Sequence, residues 1–389
     1  MKILLVSWSI LPSKGGSSII VENLARNFKK DELVILGGKK LFQNTTNKRK
    51  LEGPSFFYFF SEIDVMGRGL RFFEWFKQLR FKTLVRYIKT IILELKIDYV
   101  VGVYPDAIYC HAACIAAKEL GLPFSAYFHN TYVENLAISN NKAIPIQQEI
   151  FEYAQYVFVM SDGMKNFYEK HYEYNKFVSL VHTFNAYPNV KKLTGIPGVD
   201  KSTYKLVAIG NFNESNIEAT RRFIDAIKQN TKYSLSIYTH VPKILLKQRG
   251  IDIEAIDYKG FVSPDQVHEV LQEYDICVLT HGFTGGYGEV EYQTIFPTRT
   301  IPLLLSGKPI IAHSPVGSFL NDFIHKNRCA DLVDRPDKNA ILASLEKISS
   351  DVNYQEQLVA ASKKTAELFY GPKVVKEWKA ILAQNNVQL

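Results

Sequence analysis

Short apolar runs alternate with amphipathic segments along this chain. Ile3–Ser7 is an apolar run of the kind that forms a parallel strand covered on both faces. A polar loop at Pro12–Ser18 follows, and Ser17 and Ser18 are suitable caps for a helix. Apolar residues then recur at helical spacing, at Ile20, Val21, Leu24, Ala25 and Phe28. The segment predicts a strand, a loop and a helix in succession.

The same alternation fills two blocks of sequence separated by a connector. The first block continues with the predicted strands DELVILGG, IDYVVGVYP, LPFSAYFHN and AQYVFVMS, and the second contains YKLVAIG, YSLSIYT, AIDYKGF, DICVLT and PIIAHS. Alternating strands and helices predict doubly wound parallel sheets. The connector, Asn185–Ser202, is rich in Pro, Gly and Lys. We predict an α/β protein with a Rossmann-like domain at 1–184, a second at 203–370, and a C-terminal helix at 371–389 that crosses back to the first.

The composition agrees with two folded domains. The 389 residues are 47% hydrophobic and 22% charged, enough for two sizeable cores. No segment approaches the roughly 20 apolar residues of a membrane-spanning helix, and the start MKILLVSW has no small-residue cleavage site. We therefore expect a cytoplasmic protein. Its four cysteines, Cys110, Cys114, Cys277 and Cys329, form neither a disulfide framework nor a CxxC metal motif.

The net charge of +8 favours an anionic partner. The chain has neither a zinc-finger spacing nor an RNA-binding aromatic motif, so nucleic acid is not an expected partner. Between Arg68 and Lys89, seven basic residues accompany one acidic residue and six aromatic ones. Such a helix can lie on an anionic membrane surface at the inner membrane face, or it can pack its aromatic side chains into the first domain.

One loop has the composition of an anion site. Gly15 and Gly16 precede the first predicted helix, where unpaired N–H groups and the helix dipole favour negative charge. The spacing is not GxGxxG, which argues against a nicotinamide cofactor. A Gly-Gly pair also serves simply as a turn, so the pattern alone leaves both interpretations open.

Several motifs in order resemble those of the retaining GT-B glycosyltransferases (glycosyl transferases group 1, family 4-like). They are Gly15-Gly16 with the helix residues Val21–Ala25, the strand-end segment Phe128–Asn130, Val159–Ser161, the Lys259–Phe261 stretch, and the block FPTRTIPLLLSGKPIIAHSPVGS at Phe296–Ser318. The last block is the most specific. The resemblance spans nearly the whole chain and implies two domains facing a central cleft.

The resemblance implies roles for individual residues. His129 is the expected catalytic residue, facing the donor sugar or the acceptor. The donor diphosphate is expected to bind at Gly15, Gly16, Gly210, Asn211, Thr298 and Arg299, without a metal or a cofactor. The glycine-rich loop His281–Glu291 is a candidate lid, with Gly285, Gly286, Glu289 and Glu291 as possible donor sugar contacts. The implied activity is transfer of a sugar from a nucleotide diphosphate sugar to a saccharide or lipid-linked acceptor in polysaccharide biosynthesis.

The chain also departs from the family pattern. The paired acids of the family fall on Thr294 and Pro302, and GNFNESN (Gly210–Asn216) lacks the Arg and Lys that often follow the first strand of the second domain. Donor binding is therefore expected to be rearranged. Two alternatives stay open: a nucleotide-sugar epimerase of the same fold, and a non-catalytic nucleotide-sugar-binding partner protein.

Overall fold

The computed structural model describes residues 1–10, 16–39, 54–60, 71–135, 141–188, 196–199, 201–284 and 288–384, without the side chains of 39, 60 and 71–79. The chain divides into two compact units. Unit 1 comprises Met1–Asn185 and Gly371–Leu389, and unit 2 comprises Ala186–Tyr370. Each unit is built on one parallel sheet with helices in its connections.

The sheet of unit 1 has seven strands in the order β3-β2-β1-β4-β5-β6-β7. The strands are β1 (Ile3–Ser7), β2 (Leu33–Lys39), β3 (Ser55–Phe60), β4 (Tyr99–Tyr104), β5 (Phe124–Phe128), β6 (Tyr156–Val159) and β7 (Phe177–Ser179). The helices are α1 (Gly16–Ala25), α2 (Arg71–Leu95), α3 (Ala107–Glu119), α4 (Ala143–Tyr153) and α5 (Asp162–His171). All strand pairs are parallel.

The sheet of unit 2 has six parallel strands in the order β10-β9-β8-β11-β12-β13. The strands are β8 (Tyr204–Ile209), β9 (Tyr233–Tyr238), β10 (Asp257–Gly260), β11 (Ile276–Thr280), β12 (Ile310–His313) and β13 (Asp331–Val333). The helices are α6 (Ile217–Ile227), α7 (Lys243–Gln248), α8 (Val267–Gln272), α9 (Glu289–Thr294), α10 (Thr300–Leu304), α11 (Phe319–Asn327), α12 (Lys338–Ser350) and α13 (Val352–Ala366).

Strand β1 shows why an apolar run without alternation was the correct signal. Leu4 and Val6 belong to the core on one face of the sheet, whereas Ile3 and Leu5 belong to the core on the other face. All four are at most 1% exposed. Because successive side chains of a strand point to opposite faces, a strand covered by helices on both sides must be apolar at every position.

The C-terminal helix α14 (Gly371–Gln384) belongs to unit 1. Its Trp378 is fully buried, and the indole lies edge-on to Phe28 at 5.7 Å and to Phe158 at 5.9 Å between ring centroids. Lys379 forms an ion pair with Glu32 at 2.6 Å. The buried aromatic contacts anchor α14 against α1 and the sheet.

The described half of the basic, aromatic segment is a packed helix. In α2, Phe81 lies 5.2 Å from the ring of His111 on α3, and Lys89 pairs with Glu119 at 2.8 Å. Arg80 lies over the ring of Phe59. The rest of the predicted segment falls outside the described residues or side chains. None of the described helices has the length and apolar character needed to cross a membrane.

Candidate functional site

The strand order of unit 2 indicates where a ligand would bind. In the sheet, β9 and β10 lie on one side of β8, and β11, β12 and β13 lie on the other, so the chain reverses its direction across the sheet between β10 and β11. Such a reversal leaves a crevice at the carboxyl ends of the two central strands, where doubly wound folds bind their ligands. The residues at these ends are Gly210 and Asn211 after β8, and Thr280 and His281 at the end of β11.

Arg299 joins the ends of these two strands. Its guanidinium donates one hydrogen bond to the main-chain oxygen of Thr280 at 2.7 Å and another to that of Asn211 at 3.1 Å. The arginine stem passes over Gly210, where a Cβ atom would lie 3.1 Å from Cδ of Arg299. Gly210 also has φ of +114°, a backbone conformation that favours glycine. The structure thus brings together three of the predicted donor-site residues.

The charge of Arg299 has no acidic partner among the described residues: no carboxylate forms an ion pair with it. Burial lowers the pKa of its guanidinium to about 10, so the side chain still carries its positive charge at neutral pH. Five N–H bonds belong to a guanidinium, and the two main-chain contacts leave donors for a ligand. A partly buried cation in this situation is stabilised by an anion that enters the crevice.

A neighbouring arginine is, by contrast, fully paired. Arg222 of α6 forms an ion pair with Glu218 and donates to Nε2 of His313 at 3.0 Å. The other ring nitrogen of His313 faces the main-chain oxygen of Val333 at 2.9 Å. Glu218 also accepts the main-chain N–H of Phe283 at 3.1 Å. This cluster fixes the chain that follows β11. Among the described residues, Arg222 therefore has an acidic partner and Arg299 has none.

The main-chain amides at the start of α10 have partners within their own turn. The N–H of Thr300 donates to the oxygen of Pro297 at 2.9 Å, and that of Ile301 donates to the oxygen of Thr298 at 3.3 Å. Thr298 itself is exposed. Because these amides already have partners in the turn, an anion beside α10 would depend on the side chain of Arg299.

The two positions at which the family has its paired acids hold residues that belong to the helices here. Thr294 is buried, and its hydroxyl donates back to the main-chain oxygen of Val290 at 2.8 Å. Pro302 lies within α10. Of the candidate lid residues, Glu289 is exposed and accepts from Gln293, whereas Glu291 is buried. Gly285 and Gly286 lie outside the described residues.

His129 lies at the carboxyl end of β5 in unit 1. It is 7% exposed; Nδ1 lies 3.1 Å from Oγ of Ser17 at the start of α1, and Nε2 is buried without a hydrogen-bond partner among the described residues. Burial lowers its pKa to about 3, so the ring is neutral at pH 7. A neutral imidazole has one N–H donor and one acceptor nitrogen, and it carries no positive charge. Gly16 is the exposed first residue of α1, and Gly15 lies outside the described residues.

Two buried histidines were not predicted from the sequence as site residues. In unit 1, His182 follows β7, is 6% exposed, and has Nδ1 buried without a partner among the described residues. Burial, with a smaller contribution from nearby His129, holds its pKa well below the usual range. In unit 2, His281 directly follows β11. Both histidines follow a strand of a parallel sheet, the same position in the sequence from which His129 was predicted.

The described residues contain no group of three or more His, Cys, Asp or Glu side chains that could hold a metal ion. The four cysteines are buried and free. Cys110 and Cys114, which share one face of α3, are packed in the core of unit 1, and burial raises the pKa of both thiols.

Comparison with known proteins identifies the fold. No family model matches the chain, and neither does any curated protein. Among solved structures, sucrose-phosphate synthase from Thermosynechococcus elongatus is similar over 100% of both chains, with a TM-score of 0.72 and 14% identity. Anabaena HepE (Alr3699) in complex with UDP and glucose is similar over 99% of this chain and 100% of its own, with a TM-score of 0.68 and 12% identity. The lipopolysaccharide outer core galactosyltransferase WaaB is similar over 99% of this chain and 100% of its own, with a TM-score of 0.67 and 18% identity.

These likenesses, together with the two parallel sheets, confirm the predicted fold class. The chain is an α/β protein with two doubly wound units, the fold of GT-B glycosyltransferases. At such low sequence identity the comparison establishes architecture, and function has to be argued from the residues of the site.

Proposed function

We propose that this protein is a glycosyltransferase that moves a sugar from a nucleotide diphosphate donor to a saccharide or lipid-linked acceptor in glycan biosynthesis. The observation that carries the proposal is Arg299. Its partly buried, acid-free guanidinium lies at the carboxyl ends of β8 and β11, where a doubly wound fold binds its ligand. A nucleoside diphosphate supplies the missing negative charge and the matching oxygen acceptors.

The proposed chemistry uses fixed positive charge in place of a metal. Negative charge accumulates on the diphosphate as the glycosidic bond breaks, and a preorganised guanidinium stabilises it without reorganising. His129, neutral at pH 7, supplies a hydrogen bond to a sugar hydroxyl of the donor or acceptor. By the family resemblance, transfer retains the configuration of the anomeric carbon.

Two observations support a nucleotide-sugar donor over other anions. The fold is that of glycosyltransferases, and one structure of that fold, HepE, is described in complex with UDP and glucose. UDP and UDP-glucose are therefore the first compounds to test. They would be followed by GDP, ADP and CMP, because nothing in the site selects the base.

The test is a thermal-shift screen against UDP, GDP, ADP and CMP, since a ligand that binds the native state stabilises it by mass action. We expect one nucleoside diphosphate to raise the melting temperature, and its sugar conjugate to be consumed when acceptors are supplied. Donor incubated without acceptor identifies an epimerase if the sugar changes configuration. Tight nucleotide binding without turnover on any acceptor identifies a binding partner, and no binding at all contradicts the proposal.

We further propose that the protein acts in the cytoplasm, at the inner membrane face if the acceptor is lipid-linked. The basic segment Arg68–Lys89 motivates this expectation. Liposome sedimentation tests it: recovery should be higher with anionic vesicles than with neutral ones. Equal recovery would remove the membrane surface as a partner, and with it the preference for a lipid-linked acceptor.

A further inference from the structure

Asn216 is the N-cap residue of α6, but its side chain does not cap the helix. An N-cap asparagine usually accepts an N–H of the first helical turn through its side-chain oxygen. Here the amide turns back into the loop that follows β8. Its Nδ2 donates to the main-chain oxygen of Asn211 at 2.9 Å, and its Oδ1 accepts the N–H of Asn213 at 3.2 Å. Asn216 is 1% exposed, so a buried amide organises this loop and not the helix start.

The oxygen that Asn216 binds is also an acceptor for Arg299. The guanidinium donates to this oxygen of Asn211 at 3.1 Å and to the main-chain oxygen of Thr280 at 2.7 Å. A carbonyl oxygen has two lone pairs, so it can accept the amide and the guanidinium together. The amide of Asn216 therefore fixes the direction in which the first of these two acceptors points.

A second path joins Asn216 to the other acceptor of Arg299. The hydroxyl of Thr220, one turn further along α6, donates to the main-chain oxygen of Asn216 at 2.9 Å and lies 2.7 Å from the hydroxyl of Thr280. A hydroxyl has only one proton, so in this pair the hydroxyl of Thr280 is the donor and that of Thr220 the acceptor. Thr220 and Thr280 are 1% and 3% exposed. A buried chain of hydrogen bonds thus links the ends of β8 and β11, which are neighbours in the sheet.

We propose that Asn216 is a positioning residue of the phosphate site, which holds the two main-chain oxygens where the guanidinium of Arg299 binds them. The inference rests on the proposed nucleotide-sugar site and adds to it a residue that acts on the ligand through Arg299. It also accounts for the amide-rich loop GNFNESN, because one of its amides orients a cation that another part of the chain supplies. A buried and fully bonded network is rigid, so the guanidinium reorganises little when phosphate binds.

The test compares Asn216→Ala with Asn213→Ala by calorimetry, using UDP, GDP and ADP with their nucleosides. Each variant shortens one amide side chain of the same loop and loses two hydrogen bonds, since Oδ1 of Asn213 accepts the N–H and the hydroxyl of Ser215 at 3.1 and 2.7 Å. Both variants should therefore melt at a lower temperature than wild type. Only Asn216→Ala should bind the diphosphate more weakly, by roughly two- to tenfold, the range for one neutral hydrogen bond. Nucleoside binding should be unchanged in both.

A pair of threonine variants tests the second path without altering the loop. Thr220→Val removes the hydroxyl and keeps about the same volume. Thr365→Val is its control, because Thr365 is a buried residue of α13 in the same unit whose hydroxyl also donates to the carbonyl four residues earlier, at 2.7 Å. Thr220→Val should weaken diphosphate binding by roughly two- to fivefold, and Thr365→Val should not weaken it. The threonine pair replaces the asparagine pair if Asn216→Ala fails to fold.

The Arg299→Ala background supplies a measurement that a purely structural role would not change. There Asn216→Ala should cause little further loss of diphosphate affinity, because both substitutions act through one guanidinium, while its effect on melting temperature should persist. Wild type that binds no diphosphate overturns this inference together with the proposed function. Wild type that binds one overturns the role of Asn216 alone if Asn216→Ala loses no more affinity than Asn213→Ala, or if its loss persists in full without Arg299. Equal affinities of Thr220→Val and Thr365→Val would contradict the path through Thr220.

Discussion

Replacing Arg299 by alanine removes the cation on which the proposed donor site depends. The guanidinium bonds two main-chain oxygens, of Asn211 and Thr280, and keeps further N–H donors for phosphate. A hydrogen bond to a charged group contributes about 1.5 to 3 kcal/mol, which corresponds to roughly a 10- to 150-fold change in Kd. We expect Arg299→Ala to weaken nucleoside diphosphate binding within this range and to leave nucleoside binding nearly unchanged.

The effect of the same substitution on folding should be small. Two main-chain carbonyls lose a donor, which destabilises the native state, but a buried cation without an acidic partner is removed, which acts in the opposite direction. Folding and binding can therefore be measured separately by thermal melts and by isothermal calorimetry with UDP and uridine, or with whichever pair the nucleotide screen identifies.

Two matched substitutions control for charge alone. Arg335→Ala removes one positive charge from the same unit at a side chain that is 71% exposed, and it should bind the diphosphate like wild type. Arg299→Lys keeps the charge, but a single ammonium lacks the planar fork that reaches both strand ends, so its affinity should be intermediate. Equal losses for diphosphate and nucleoside, or no loss for either, would refute the assignment of Arg299 to a phosphate site.

Three other predictions follow from the site. Arg299 has a pKa of about 10 and loses its charge only as the pH rises through that value. Diphosphate affinity should therefore be nearly constant from pH 7 to 9 and should fall above pH 9. A fall in affinity that is already complete by pH 8 would contradict this prediction. Turnover should survive excess EDTA, since fixed protein charge replaces a metal in the mechanism; loss on chelation with recovery on adding Mn²⁺ would show that mechanism to be wrong. His129→Ala should lower turnover with little change in melting temperature, because the only side-chain hydrogen bond that the described residues give the ring is the contact of Nδ1 with Ser17, besides an edge-on contact with Tyr127. A large fall in melting temperature with normal turnover per folded molecule would make His129 structural.

The parallel strands were the most predictable part of the fold. β1 was predicted as Ile3–Ser7 and is observed there, and DICVLT and PIIAHS contain β11 and β12 with an extra residue at one or both ends. These strands are buried on both faces, so their apolar character is continuous and independent of what packs against them. The amphipathic helices α12 and α13 were not predicted, although Asp337 and Asp351 cap them.

The sequence named residues of the candidate site but not the contacts between them. The motif around Arg299 was recognisable from the sequence, whereas its bonds reach residues 19 and 88 positions away. Those contacts exist because β8 and β11 are neighbours in the sheet, which no local pattern encodes. His281 likewise meets the ring of Tyr292 in α9, a contact that no local pattern encodes. The positions of the family's paired acids hold Thr294, whose hydroxyl bonds within its own helix, and Pro302, which lies within α10, so these positions supply no carboxylate to a donor.

Gly210 gives a last test of how the cation is held. A Cβ atom at this position would lie 3.1 Å from Cδ of Arg299, and φ of +114° is strained for any residue with a side chain. Gly210→Ala should therefore cost about 1 to 3 kcal/mol of folding free energy and also displace the guanidinium stem.

Gly317→Ala is the matched control for Gly210→Ala, because Gly317 lies in the same unit with φ of +81° and no atom within 4 Å of its Cβ position. Both variants should melt at lower temperature, but only Gly210→Ala should bind the nucleoside diphosphate more weakly. Combined with Arg299→Ala, Gly210→Ala should cause little further loss of affinity, since both changes act through one side chain. If Gly210→Ala loses stability like Gly317→Ala and still binds the diphosphate like wild type, the contact between Gly210 and Arg299 does not position the phosphate-binding group.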